Sequence, residues 1–253
     1  MKLTPFKSLC LVLISTVFTA HAAINLDRTR IIFSESDKAT SLKVDNQSKA
    51  LPYLALSWIE DEKGQKEDTH FMALPPIQRI EAGSSSQVRI VKQAATRQLP
   101  KDRESLFYFN LREMPPKSAS ASEERSVMQV AMQSRIKLLW RPKAITKKPG
   151  EQAEMRLEIS ANASGLTLHN PTPYYITLAW LSKDAKTMLP GFDSLMLAPF
   201  ATATTSTGDY HGNYYSIGYI DDYGALKKFD VQCAGTAQCA LTERKIENDA
   251  KSH

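Results

Sequence analysis

Apolar residues recur at every second position along this chain, in short runs, and no long stretch carries a clean helical period. Leu42 and Val44 alternate in "SLKVD" (41–45), and Val88 and Ile90 in "SQVRIVK" (86–92). Leu54, Leu56 and Trp58 share one face of "YLALSWIE" (53–60), as Met128, Val130 and Met132 do in "SVMQVAMQ" (126–133). The pattern returns in "MRLEIS" (155–160), "LTLHN" (166–170), "YYITLAWLS" (174–182) and "GYIDDYGALKKFDVQC" (218–233). Alternation of this kind predicts half-buried strands. Many short strands with turn signals between them predict an all-β sandwich or barrel. Only "AATRQLPKDRES" (94–105) leaves room for a short helical turn.

The alternation breaks at "RPKAITKKPGEQ" (141–152), where two prolines, a glycine and four basic residues crowd together as in a linker. A length of 253 residues suits two domains. The expected organisation is a segment 1–22 outside the fold, a first sandwich over 23–145 and a second over 146–253. The charged end "ERKIENDAKSH" is expected to fray.

The segment 1–22 reads as an export signal. Lys2 and Lys7 form a basic start, Leu11–Ile14 with Val17 and Phe18 an apolar core too short to span a bilayer, and Ala20-His21-Ala22 a cleavage site. Its removal takes Cys10 away and leaves Cys233 and Cys239. An even pair in an exported protein reads as a disulfide, with two free thiols as the alternative. The loop between them is short, so the entropic gain falls at the low end of about 2–4 kcal/mol. Against 27 acidic residues there are 32 basic ones, and losing Lys2 and Lys7 leaves an excess of only three. That excess is scattered and not interleaved with aromatics, which argues against nucleic acid.

Signs of catalysis are missing. His70, His169, His211 and His253 have no metal-ligand spacing to one another or to a Cys or carboxylate pair, and the reading favours solvated or bland roles for them. There is no nucleophile elbow and no glycine-rich phosphate loop. Asp221 and Asp222 are adjacent, so on a strand they would point to opposite faces, wrong for paired acid–base work. No cofactor, metal or nucleotide is expected.

Three other features need an explanation. Arg30 in "LDRTRIIF" and Lys137 in "RIKLLW" sit amid apolar residues, where a lone buried cation is costly. Their heads either snorkel to water or share one anion in a cleft, with Arg as a bidentate fork and Lys as a point charge. The Met face of 126–133 is either ordinary core or an open sheet edge able to take up another strand. The stretch "LPKDRESLFYFNLREMPP" (99–116) joins four charged residues, Lys101 to Glu104, to an aromatic strand.

That last stretch, together with "LDRTRIIF", "LPYLALSWIEDE", "PPIQRIEAG", "RIKLLWRP", "NPTPYYIT" and "YIDDYGA", resembles in order and spacing the periplasmic pilus-assembly chaperones of the chaperone–usher pathway. The resemblance covers essentially the whole chain after residue 22. It implies two immunoglobulin-like sandwiches set as an L around a cleft. It implies pilus subunits as partners, held by donor-strand complementation and passed to an outer-membrane usher without nucleotide. It implies a periplasmic location, and a free protein with such an exposed Met face is expected to form a self-capping homodimer. Arg30 and Lys137 would hold the C-terminal carboxylate of the bound pilus subunit, with Thr29 beside them. Met128, Val130 and Met132 would fill the groove of that subunit from an edge strand. Glu104, Arg141 and Asp222 would form an interdomain ion-pair network.

Two departures from the family pattern stand out. Two of the three knobs are methionines, which adapt their shape and fit a broad range of subunits. The loop over 116–126, containing the low-complexity run "SASASEERS", is of intermediate length and suits the short-loop branch that builds rod-like pili. One geometric difficulty also follows: Lys137 is five residues from Met132 and so falls on the opposite face, and a bulge, twist or strand end near 134–136 is expected if both meet one subunit. A fimbrial subunit would need a donor extension before its first strand, and an exported β-sandwich enzyme would need a His or carboxylate constellation; neither is visible.

Overall fold

The computed structural model describes residues 23–116, 130–162, 165–235 and 238–244. Among them, nine strands precede residue 142: β1 (Ile24–Leu26), β2 (Arg30–Ser34), β3 (Ala39–Asn46), β4 (Tyr53–Glu60), β5 (Phe71–Leu74), β6 (Ile77–Ile80), β7 (Ser85–Lys92), β8 (Ser105–Met114) and β9 (Gln133–Arg141). Eight follow: β10 (Glu158–Asn162), β11 (Gly165–His169), β12 (Ile176–Ser182), β13 (Leu195–Leu197), β14 (Thr202–Thr205), β15 (Tyr214–Ile220), β16 (Leu226–Gln232) and β17 (Ala240–Glu243). The first nine make two sheets in the orders β1-β3-β7-β5 and β2-β9-β8-β4-β6. The others make β10-β11-β14 and β13-β12-β15-β16-β17. The short helical turn expected over 94–105 is a 3-10 turn at Ala94–Gln98.

Each pair of sheets closes on its own core. In the first, alternate residues of β3 (Leu42, Val44), β7 (Val88, Ile90), β8 (Phe107, Phe109, Leu111) and β9 (Leu138, Trp140) point inward and are buried. Phe71 is central, with ring centroids 5.4 Å from Phe33 and 5.0 Å from Phe107. Side chains of this size each contribute about 1.5–3 kcal/mol by leaving water. In the second, Leu157, Ile159, Leu166, Leu168, Ile176, Leu178, Phe229 and Val231 do the same. Cys233 and Cys239 form a disulfide within that core. Beside it the Cys239 N–H donates to Ile159 O at 2.7 Å, so the cross-linked segment also ties the two sheets together.

One strand turns the expected way round in space but not in polarity. In β4 the buried side chains are Ala55, Ser57 and Ile59, while Leu54 faces out and Leu56 and Trp58 are only half-buried. The larger apolar face of that strand therefore looks outward. Its neighbour β8 adds Met114 to the same exposed surface, opposite Leu54 in the ladder.

Candidate functional site

β2 and β9 run parallel, from Arg30 opposite Lys137 to Ser34 opposite Arg141. Every other pairing among the described strands is antiparallel. Because β9 starts four residues before Lys137, Gln133–Ile136 have β8 on one side and, among the described residues, no strand on the other. That leaves an open edge ending where β2 begins. Before it, Val130 and Met132 are 64% and 41% exposed, so neither is core. The Met132 carbonyl still accepts the Glu113 N–H at 3.0 Å, although the strand itself starts at Gln133 and not at 126. Met128 and most of the 116–126 loop lie outside the described residues.

No bulge lies near 134–136. The β8–β9 register is unbroken from Arg112 opposite Gln133 to Ser105 opposite Trp140. Ile136, Leu138 and Trp140 pack in or against the core, so by alternation Arg135 and Lys137 face outward. Met132 lies just before β9, so of the bulge, twist or strand end expected near 134–136 the bulge is absent and the strand begins at Gln133. A strand laid along the edge meets both faces, so regularity is compatible with both contacts.

Arg30 and Lys137, cross-strand neighbours, reach toward the second sandwich. The Arg30 Nη1 donates to Ile220 O at 2.9 Å, and its Nε is buried with no partner. The Lys137 Nζ donates to Thr177 Oγ1 at 2.8 Å. Neither cation is in an ion pair among the described residues. Burial, then the charge of Arg30, holds Lys137 down to about 8, and burial also lowers Arg30 against the pull of Asp222 and Asp221. Two adjacent cations with spare donors and no ion-paired acid among the described residues form an anion-ready cleft. Thr29 is exposed beside it, its hydroxyl close over Gly224, where a Cβ would lie 2.4 Å from Oγ1. Gly224 has φ +86°, so the turn needs glycine for both backbone and clearance.

A few residues away the charges are fully matched. Arg141 Nε donates to Glu104 Oε1 at 2.7 Å, and its Nη1 and Nη2 hold both oxygens of Asp222 at 2.7 and 3.0 Å. The other Glu104 oxygen accepts the Tyr175 N–H at 2.8 Å, while the Glu104 N–H donates to Pro173 O at 2.9 Å. Lys147 bridges Glu154 and Asp222 at 3.2 and 3.3 Å. Burial pushes the Asp222 carboxyl up, but the hydrogen bonds and charges of Arg141 and Lys147 outweigh it and hold it below the usual range. Burial raises Glu104 against Arg141 and the Tyr175 N–H. The same acids, against burial, raise the Arg141 guanidinium well above its ordinary value.

The structure thus brings Glu104, Arg141 and Asp222 together, and Arg30 with Lys137. Sequence reading missed Thr177, Lys147 and Glu154, and the carbonyls of Pro173 and Ile220. Lys147 was visible only as one of several linker cations. Thr177 carries no local signal, because its role depends on which strand of one sandwich faces the other. A largely apolar trough lined by Tyr53, Leu54, Met114, Pro115 and Ala131, with Arg79 at its wall, was also missed. His70, expected to be solvated, lies 3.2 Å from Glu67 and packs on Phe107. Among the described residues no group of three or more His, Cys, Asp or Glu is placed to hold a metal, and no helix is long and apolar enough to cross a membrane.

Two immunoglobulin-like sandwiches, locked by a paired charge network and leaving an unpaired cationic cleft at the end of an open strand edge, define a two-domain binding scaffold. Residues 23–146 match the family model for the pili and flagellar-assembly chaperone, PapD N-terminal domain, and residues 152–230 that for the pili assembly chaperone PapD, C-terminal domain. The chain belongs to this family of pilus-assembly chaperones, a family of chaperones and not of enzymes. It is 51% identical over 243 residues to the uncharacterized fimbrial chaperone YbgP of Escherichia coli (strain K12), covering 96% of this chain and 100% of that one. It is 42% identical over 228 residues to the chaperone protein PapD of Escherichia coli, covering 89% and 92%. Among solved structures, the periplasmic chaperone SfaE superposes with TM-score 0.67 at 33% identity, over 83% of this chain and 99% of that one. The Salmonella enterica SafA pilin in complex with the SafB chaperone gives 0.70 at 25%, over 90% and 99%.

Proposed function

We propose that this chain is a periplasmic chaperone that binds pilus subunits by donor-strand complementation and delivers them to an outer-membrane usher. The observation that carries the reading is the Arg30–Lys137 pair, two cations ion-paired to no acid among the described residues at the point where the open edge of β9 meets β2. The C-terminal carboxylate of a pilus subunit is the anion of choice: it ends a strand, and Arg30 offers a fork that suits it. A strand ending there and lying along Gln133–Ile136 must run in the direction of β2, parallel to β9. Its backbone would bond the edge, and Met128, Val130 and Met132 would reach into the open groove of the bound partner. Thr29 would border the carboxylate. Units 23–145 and 146–253 would act as the two walls of the cleft, with Glu104, Arg141 and Asp222 fixing the angle between them. Residues 1–22 would direct export and be removed. The free protein would cap its sticky edge by pairing with a second copy, and sedimentation showing a strict monomer at high concentration would sink that part.

The test is a titration of the mature protein with peptides copied from the C-terminal strands of pilus subunits, each as free acid and as amide. Tight binding of the acid with weak binding of the amide is expected. Equal binding of both would leave strand addition standing and remove the carboxylate anchor.

A further inference from the structure

The charged run at 101–104 is only partly used by the Arg141 network, which takes Glu104 alone. Lys101 pairs with Glu35 at 2.9 Å within the first sandwich. Arg103 crosses to the second: its guanidinium lies over the ring of Phe200, 4.9 Å from the centroid. Asp102 steadies it, with Oδ2 2.8 Å from Arg103 Nη2.

Phe200 is itself unusual. It occupies the turn between β13 and β14 with φ +61°, a left-handed conformation that bulky side chains rarely adopt and that Gly or Asn accepts easily. The residue is 44% exposed, so core burial does not offset that backbone. Outliers of this kind persist where the surroundings make use of them. The cation stacked on this ring comes from the other sandwich.

Arg103 also directly precedes Glu104, which holds Pro173 O and the Tyr175 N–H on the approach to β12. Strand β12 carries Thr177, the partner of Lys137. We propose that Arg103 and Phe200 form a second interdomain clasp, and that both are positioning residues holding Thr177 and Lys137, and so the cationic cleft, at its working opening. The proposal rests on the carboxylate-binding reading of that cleft.

The test uses the full mature protein carrying Phe200→Asn, Arg103→Ala, or both. Asn suits the left-handed backbone, so Phe200→Asn should leave the thermal midpoint unchanged or raise it. Its affinity for a free-acid tail peptide should fall about two- to fivefold, the size of one exposed cation–π contact, with amide binding unchanged. Spin labels on the two sandwiches should report a broadened distance distribution. Arg103→Ala should do the same, and the double variant should be no worse than either single one. Wild-type affinity and an unchanged distance distribution in Phe200→Asn would overturn the clasp. So would a lowered midpoint with additive effects, which would make the ring a support of its own sandwich. If wild-type protein shows no preference for acid over amide, the carboxylate reading fails, and the distance distributions alone decide the clasp.

Discussion

Two groups of charged residues sit at the junction of the sandwiches, and they are built in opposite ways. Around Arg141 every cation has its acid: Glu104, Asp222 and Glu154 answer Arg141 and Lys147. Arg30 feels Asp221 and Asp222 only at a distance, neither it nor Lys137 is ion-paired to an acid among the described residues, and the two lean on neutral acceptors, Ile220 O and Thr177 Oγ1. Both groups combine Arg and Lys and bond the end of β15 or the turn after it, at Ile220 and Asp222. The difference teaches how to tell structure from function in a buried charge. A matched network specifies one arrangement and is costly to break, while an unmatched pair is a standing cost that a ligand can relieve.

The largest expected effect lies in the matched group. Arg141→Ala leaves Glu104 buried without a counter-charge and should destabilise the protein by about 3–5 kcal/mol in denaturant unfolding. A loss under about 1 kcal/mol would mean that water replaces the guanidinium and that the network does not lock the junction. Next comes Arg30→Ala, which should cost about 2–5 kcal/mol of affinity for a free-acid tail peptide, read by calorimetry, and little for the amide. Equal losses on both would assign Arg30 a packing role.

The pH dependence sharpens the contrast. Lys137 titrates near 8 in the folded protein, below its ordinary value of 10.5. The folded state therefore holds fewer protons than the unfolded state between those values, and stability rises with pH across that window, the penalty being complete below 8. Binding of a carboxylate favours the charged lysine, so tail affinity should fall as pH rises from about 7 to beyond 8, as seen by titration in matched buffers. A flat profile would show that Arg30 alone reads the carboxylate. Smallest is Lys137→Met in the free protein. Removing the unpaired cation should stabilise it by about 1–2 kcal/mol near neutral pH, less than the full shift implies because solvent still reaches the site. The same variant should bind the acid peptide more weakly, and a drop in stability would mean that the Thr177 bond outweighs desolvation.

Period-two alternation placed most of the longer strands, because each has to bury one face, and missed the short β1, β5, β6, β13, β14 and β17. β4 shows the limit. Leu54, Leu56 and Trp58 announce a core face, yet Ala55, Ser57 and Ile59 are the buried ones. Alternation gives the period of a strand, and only packing gives the sign. The 126–133 segment shows the same limit from the other side, since its Met face reads equally as core or as edge. Among the described residues Val130 and Met132 are exposed and not core, and β2 covers β9 only from Lys137 onward.

Residue types alone determined the strand period, the even cysteine pair, and the oddity of two cations set among apolar neighbours. The tertiary structure decided that Cys233 meets Cys239, that Arg30 faces Lys137 in one parallel register, and that Thr177 and Ile220 receive them. It also decided that Arg141 is answered by acids 37 residues before it and 81 after it. The reason is physical: local sequence governs backbone propensity and which faces prefer water. Whether a buried charge is matched depends on side chains that meet only when two separately folded sandwiches come together.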